Sequence, residues 1–143
     1  MLKVLICCGA GMSSSYLTQK LQKEVTSRGL ENDVSFDFSP IEMIGSLHCG
    51  EILNQYDVAM CCPHLNFFIK KITKKNTFNC ALYLMPPRMY GTLYFDEVYQ
   101  DAKDVYDEFK KTKVNPFHFP GEERVLAIKR MEAYRNRDQH KYD

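Results

Sequence analysis

Apolar positions along the chain follow two alternating rhythms. Short continuous runs occur at Lys3–Cys8 (KVLICC), Asp57–Cys62 (DVAMCC) and Asn79–Met85 (NCALYLM), the pattern of strands buried on both faces. Pro63 stops the second of these runs, and Pro86 with Pro87 stops the third. In a further stretch, Val34, Phe36 and Phe38 alternate with Ser35, Asp37 and Ser39, which predicts a strand with one wet face near a sheet edge. Between these runs the spacing changes to three and four. Leu17, Leu21 and Val25 predict a helix over Ser15–Arg28, with Gly29 where a left-handed cap belongs. Ser39, Pro40 and Glu42 supply an N-cap, a first-turn proline and the acid of a capping box, opening a helix that Gly45 and Gly50 keep short or broken. Leu65, Phe68, Ile69 and Ile72 mark a third helix, whose lysine-rich end (Lys70, Lys71, Lys74, Lys75) complements the helix dipole. Val98, Ala102, Val105 and Phe109 form the stripe of a fourth, from about Phe95 to Lys111. Four strands alternating with four helices predict an α/β domain with a parallel sheet and right-handed crossovers.

The pattern changes after residue 111. Asn115–Gly121 (NPFHFPG) reads as a proline-braced linker, Glu122–Arg137 as a helix with Val125, Ile128 and Met131 on its mixed face, and Asp138–Asp143 as a fraying end. The organisation expected is one domain over 1–111 and a C-terminal extension, linker plus helix, over 112–143. Three roles are open to the extension: docking on the domain, self-association or binding another component.

Composition narrows the partners. With 19 Lys+Arg against 18 Asp+Glu the net charge of the 143 residues is +1, so no global field draws the chain to nucleic acid or anionic lipid. The apolar run at the amino terminus is too short for a signal-peptide core, and no run approaches the roughly 20 residues of a membrane span. A soluble, cytoplasmic protein without membrane insertion is expected. Four of the six cysteines stand as the adjacent pairs Cys7, Cys8 and Cys61, Cys62. Neighbours on a strand point to opposite faces, so neither pair is placed to bridge internally. With no Cys-x-x-Cys and no histidine at a zinc spacing, no metal is expected, and most of these thiols read as small core hydrophobes.

The chemistry concentrates in the loop after the first strand, a preferred ligand position in open parallel sheets. Gly9 and Gly11 let successive N–H groups turn inward, Ser13, Ser14 and Ser15 add hydroxyl donors and a helix N-cap, and the helix N-terminus adds partial positive charge. Such a cradle suits a phosphate dianion, and the same field favours a thiolate on Cys8, which abuts the loop. Cys7, on the opposite pleat, belongs to the core. The plainer alternative is that both cysteines are buried strand residues and the loop is merely tight. Low-molecular-weight tyrosine phosphatases carry a similar thiol loop, but theirs places an arginine where Ser14 stands here. Without that guanidinium clamp, rapid hydrolysis is disfavoured and a phosphocysteine that survives to be passed on is the better reading.

"CGAGMSSS" at Cys8–Ser15 resembles the phosphorylation loop of the lactose/cellobiose-type IIB component of the bacterial sugar phosphotransferase system, whose typical loop, Cys-Ser-Ala-Gly-Met-Ser-Thr-Ser, aligns without a gap. "DVAMCCPH" at Asp57–His64 is similar to the family's third strand and following proline, and Tyr90-Gly91 to a turn beyond its fourth strand. The resemblance covers roughly residues 1–111. It implies a four-stranded parallel sheet in the order 2-1-3-4 flanked by helices, here with an added C-terminal helical tail. It also implies a phosphoryl carrier without cofactor: Cys8 takes the phosphoryl group from a phosphohistidine IIA partner and hands it to a sugar held by a membrane IIC partner. Gly9, Ala10, Gly11, Met12, Ser13, Ser14 and Ser15 would hold the phosphate. His64 stands where the family often has glutamine, and reads either as a helix cap or as a contact to the loop. Arg88 reads either as a solvated arginine or as positive charge reaching the cradle. Two other functions compete: a phosphatase-like enzyme and a non-catalytic regulatory or interaction protein.

Overall fold

The computed structural model describes residues 1–8, 12–40 and 48–139, with residues 12–14 described by their backbone alone. Its sheet comprises β1 (Leu2–Cys7), β2 (Val34–Ser39), β3 (Val58–Cys61) and β4 (Ala81–Leu84). All three pairings are parallel, in the order β2-β1-β3-β4. The helices are α1 (Met12–Ser27), α2 (Cys49–Leu53), α3 (Asn66–Lys75), α4 (Pro87–Thr92) and α5 (Phe95–Thr112). The order expected from the family resemblance is therefore present, and its cause is visible in burial. Central β1 and β3 are covered on both faces, whereas Asp37 of β2 is exposed.

Alternation sorts the side chains into two cores. Val4, Ile6, Val58, Met60 and Tyr83 meet Leu21 and Val25 of α1 and Val98, Ala102, Val105 and Phe109 of α5. Leu5, Cys7, Ala59, Cys61 and Leu82 meet Cys49 and Leu53 of α2 and Ile69 and Ile72 of α3. Four-residue spacing thus became helix, and unbroken apolar runs became two-faced strand. Helix α1 ends as expected: Gly29 takes φ 70°, and the Leu30 N–H reaches back to the Val25 carbonyl at 2.9 Å. The helix expected to open at Ser39–Glu42 falls largely on residues 41–47, outside the described residues. The proline pair does more than end β4, because Pro87 occupies the first turn of α4.

The last α-helix after the sheet is α5; the tail beyond it departs from expectation. No helix covers 122–137; the described chain there makes two single 3-10 turns, Val125–Ala127 and Tyr134–Asn136. The physical reason is Arg130, which is buried and has all five N–H donors committed. Its Nε and Nη2 bond Glu122, Nη1 bonds Asp101 (2.9 Å) and the Glu132 carbonyl, and Nη2 also bonds the Tyr83 hydroxyl (2.7 Å). The Ala133 and Tyr134 N–H groups, which a helix would direct along its own axis, donate instead to Glu97 and Asp101. Phe119 stacks on Tyr134 with ring centroids 4.4 Å apart and meets Tyr83 edge to face. Of the three roles open to the tail, the one displayed here is docking.

Both outer strands have edge groups met by side-chain amides. Gln22 Oε1 accepts the Phe36 N–H of β2 at 2.8 Å. On the far side, Asn115 accepts the Leu82 N–H at 2.9 Å and donates to the Cys80 carbonyl at 3.0 Å, while the Phe117 N–H donates to the Leu82 carbonyl at 2.7 Å. The tail therefore lies along β4 like a fragment of an added strand.

Candidate functional site

Strand β1 ends at Cys7, and Cys8 continues its line by one residue, with its N–H donating to the Ser39 carbonyl at 3.3 Å. This is the carboxyl edge of a central strand, the position from which open parallel sheets present ligands. Helix α1 opens at Met12, so its N-terminus follows Cys8 after three residues of chain. Its first turn, Met12 to Ser15, contains no acidic residue. The first turn of α5, in contrast, carries Asp96 and Glu97. Acids in a first turn neutralise the positive helix end, and α1 lacks that internal neutralisation.

The expected cradle distributes as follows. Gly9, Ala10 and Gly11 lie outside the described residues. Met12, Ser13 and Ser14 are helical in backbone, and their side chains lie outside the description. Ser15 is half-buried within α1. Because the helix starts three residues earlier than its apolar spacing predicts, Ser13, Ser14 and Ser15 belong to its first turn. All three serines lie inside the helix, so none of them precedes it as the expected N-cap.

Both adjacent cysteines belong to one buried cluster, so Cys8 as well as Cys7 is a core residue, contrary to expectation; they differ in their partners. All six thiols are unbridged and buried. Cys7 is fully enclosed on the α2–α3 side of the sheet. A hydrogen bond with the Cys61 thiol and burial raise it well above the usual thiol range, so it is a poor nucleophile. Burial likewise raises Cys80. Cys8 is only 2% exposed, yet it is the thiol beside the loop leading into α1.

The structure also places a residue that sequence reasoning passed over. Cys61 stands opposite Cys7 in the β1–β3 register, and the Cys62 N–H donates to the Cys7 carbonyl at 2.9 Å, so Cys62 lies next to Cys8 at the same sheet edge. Burial pushes the Cys62 thiol up, against the backbone N–H groups of His64 and Leu65 that point at its sulfur. The repeated Cys-Cys was the signal, but only the strand order shows that the second member of one pair meets the second member of the other.

His64 is exposed in the 3-10 turn Pro63–Leu65, and Arg88 is exposed on α4. Among the described residues, no hydrogen bond or ion pair joins either to Cys8. Neither does α3 take a side-chain cap from His64, since its N-cap is Leu65. The four lysines of α3 are exposed and make no ion pair among the described residues. No described helix is long and apolar enough to cross a membrane.

Comparison with known families gives a direct result. The model of the lactose/cellobiose-specific IIB subunit of the PTS system matches residues 3–101. The match runs from β1 into α5 and leaves out the docked tail. No curated protein matches the chain.

Proposed function

The chain belongs to the lactose/cellobiose-specific IIB family of the sugar phosphotransferase system, and from that membership we propose that Cys8 is its phosphoryl-carrying residue. The family supports a phosphocarrier role in sugar uptake and interaction with IIA and IIC components in general. In the proposed cycle the Cys8 thiolate attacks the phosphorus of a IIA phosphohistidine. An S–P bond forms, the N–P bond breaks, and the imidazole leaves as a neutral group after taking up a proton. The phosphoryl oxygens rest against the amides of Gly9, Ala10, Gly11, Met12, Ser13, Ser14 and Ser15, at the positive end of α1. A sugar hydroxyl bound by IIC then gives its proton to a base of that partner and attacks the same phosphorus; a P–O bond forms, the S–P bond breaks, and the sulfur departs as thiolate. Proximity and charge stabilisation carry both steps.

The observation that carries this reading is the placement of Cys8 at the carboxyl edge of β1, just ahead of a helix whose first turn holds no acid. Since Cys8 is almost fully buried, its cover must open when a donor docks. Residues 1–111 form the carrier in this reading, and 112–143 are an extension that braces it. Incubation with phosphorylated IIA, followed by intact mass and peptide mapping, is expected to find phosphate on Cys8. Cys8→Ser is expected to stay unlabelled while Cys7→Ser is labelled. Label on the Cys8→Ser chain, or on another cysteine, would refute the assignment. Turnover of an aryl phosphate ester by the wild type would favour the phosphatase reading instead.

A further inference from the structure

Two cysteines that are distant in sequence meet where the carrier chemistry is proposed. The β1–β3 register pairs Cys7 with Cys61, and the ladder continues past both strands through the Cys62 N–H to the Cys7 carbonyl. Cys62 keeps extended backbone angles (φ −64°, ψ 150°). Register neighbours share a face, so Cys8 and Cys62 form the next pair beyond Cys7 and Cys61. Adjacent strands set such residues about 5 Å apart at Cα, inside the roughly 4.4 to 6.8 Å that a disulfide spans. Both thiols are unbridged and belong to one buried cluster, at 2% and 4% exposure. Burial pushes the Cys62 thiol up, and the His64 and Leu65 N–H groups aimed at its sulfur work against that rise.

We propose that Cys62 is a resolving thiol for Cys8, so that a peroxide converts the pair to a disulfide that withdraws Cys8 from phosphoryl transfer until a dithiol reduces it. The inference rests on the reading of Cys8 as the carrier. In the first step the Cys8 thiolate attacks a hydrogen peroxide oxygen and the O–O bond breaks. The departing hydroxide takes a proton to become water, and Cys8 is left as sulfenic acid. In the second, the Cys62 sulfur attacks the Cys8 sulfur. The S–S bond forms, the S–O bond breaks, and the leaving hydroxide takes the Cys62 proton as a second water. Peroxide thus gains the two electrons that the two thiols lose. Reduction by dithiothreitol reverses the bond through a mixed disulfide. Cys7 and Cys61 are also register partners, but both are wholly buried between the sheet and α2–α3, one residue further inside the strand ends than Cys8 and Cys62.

The test reads covalent state and needs no phosphoryl donor. Wild-type protein treated with hydrogen peroxide, denatured and alkylated with N-ethylmaleimide is expected to take up two fewer labels than the untreated chain. It should yield one cross-linked peptide pair joining Cys8 to Cys62, and recover both labels after dithiothreitol. Cys62→Ala should give no cross-link and carry Cys8 onward to sulfinic acid, which dithiothreitol does not reverse; Cys62→Ser provides the same reading should the alanine chain fold poorly. A Cys7–Cys61 cross-link, or full recovery of the Cys8 thiol in both Cys62 variants, overturns the proposal. Failure of Cys8 to accept phosphate from IIA, with the cross-link still forming, would count against the carrier reading alone.

Discussion

Two polar centres lie on this sheet, and they are built on opposite plans. Around Arg130 every donor is matched: five N–H groups, two carboxylates, a phenol and a carbonyl close on one another beneath the tail. At Cys8 the neighbouring helix begins without an acid in its first turn, and among the described residues the thiol sits beside a second thiol. A polar cluster that satisfies itself holds two segments together and has nothing left for a ligand. A site meant for a visiting dianion must keep its donors and its field uncommitted until that anion arrives. The same vocabulary of charge and hydrogen bond therefore serves stability in one place and, in the proposed cycle, transfer in the other.

The contrast predicts a separation of effects. Cys8→Ser should abolish phosphoryl uptake from IIA at a stability cost of about 1–3 kcal/mol, that of burying a hydroxyl among apolar neighbours, with the chain still folded. Arg130→Met should do the reverse. Removing the guanidinium leaves Asp101 and Glu122 as uncompensated buried or half-buried charge, a loss of about 3–5 kcal/mol to be read by chemical denaturation, with Cys8 still labelled at temperatures where the chain is folded. If Arg130→Met abolished labelling in the folded protein, the two centres would not be separate. A smaller step is Asn115→Ala, which strips one acceptor and one donor from β4; about 1–3 kcal/mol is expected, again without loss of labelling.

The smallest effect concerns pH. Tyr56 donates to Asp37 at 3.0 Å, and burial together with that carboxylate pushes its pKa up to about 12. The folded state thus favours the protonated phenol. Its contribution is complete below the unfolded value near 10 and is lost as pH rises from there through about 12. Tyr56→Phe should flatten that part of the stability-versus-pH curve, measured by denaturation midpoints, and leave the neutral range unchanged apart from the lost hydrogen bond.

Much of the fold was legible because it is written in local period. The runs at Lys3, Asp57 and Asn79, the alternation at Val34 and the four-residue spacing of Leu17, Leu21 and Val25 each declare an element without outside help. The edge position of β2 was visible in Asp37. The proposal for Cys8 comes from a related source: the thiol is adjacent in sequence to the glycines and serines that would serve it. The tail was not. Val125, Ile128 and Met131 imitate a helical stripe, yet conformation there is decided by Tyr83, Glu97 and Asp101, which lie tens of residues earlier and carry no periodic mark. The Cys8–Cys62 juxtaposition was hidden for the same reason, since it depends on strand order.

The amides of Gln22 and Asn115, one on each margin of the sheet, bear on how the molecule behaves in a crowd. A bare strand margin is a template for the next chain, and growth from such margins leads to fibrils. Here each margin has backbone groups occupied by a side chain, so neighbouring copies find fewer places to add. Asn115 belongs to the same tail that Arg130 fastens, and clipping that tail by a protease would therefore uncover a sticky border as well as loosen the fold.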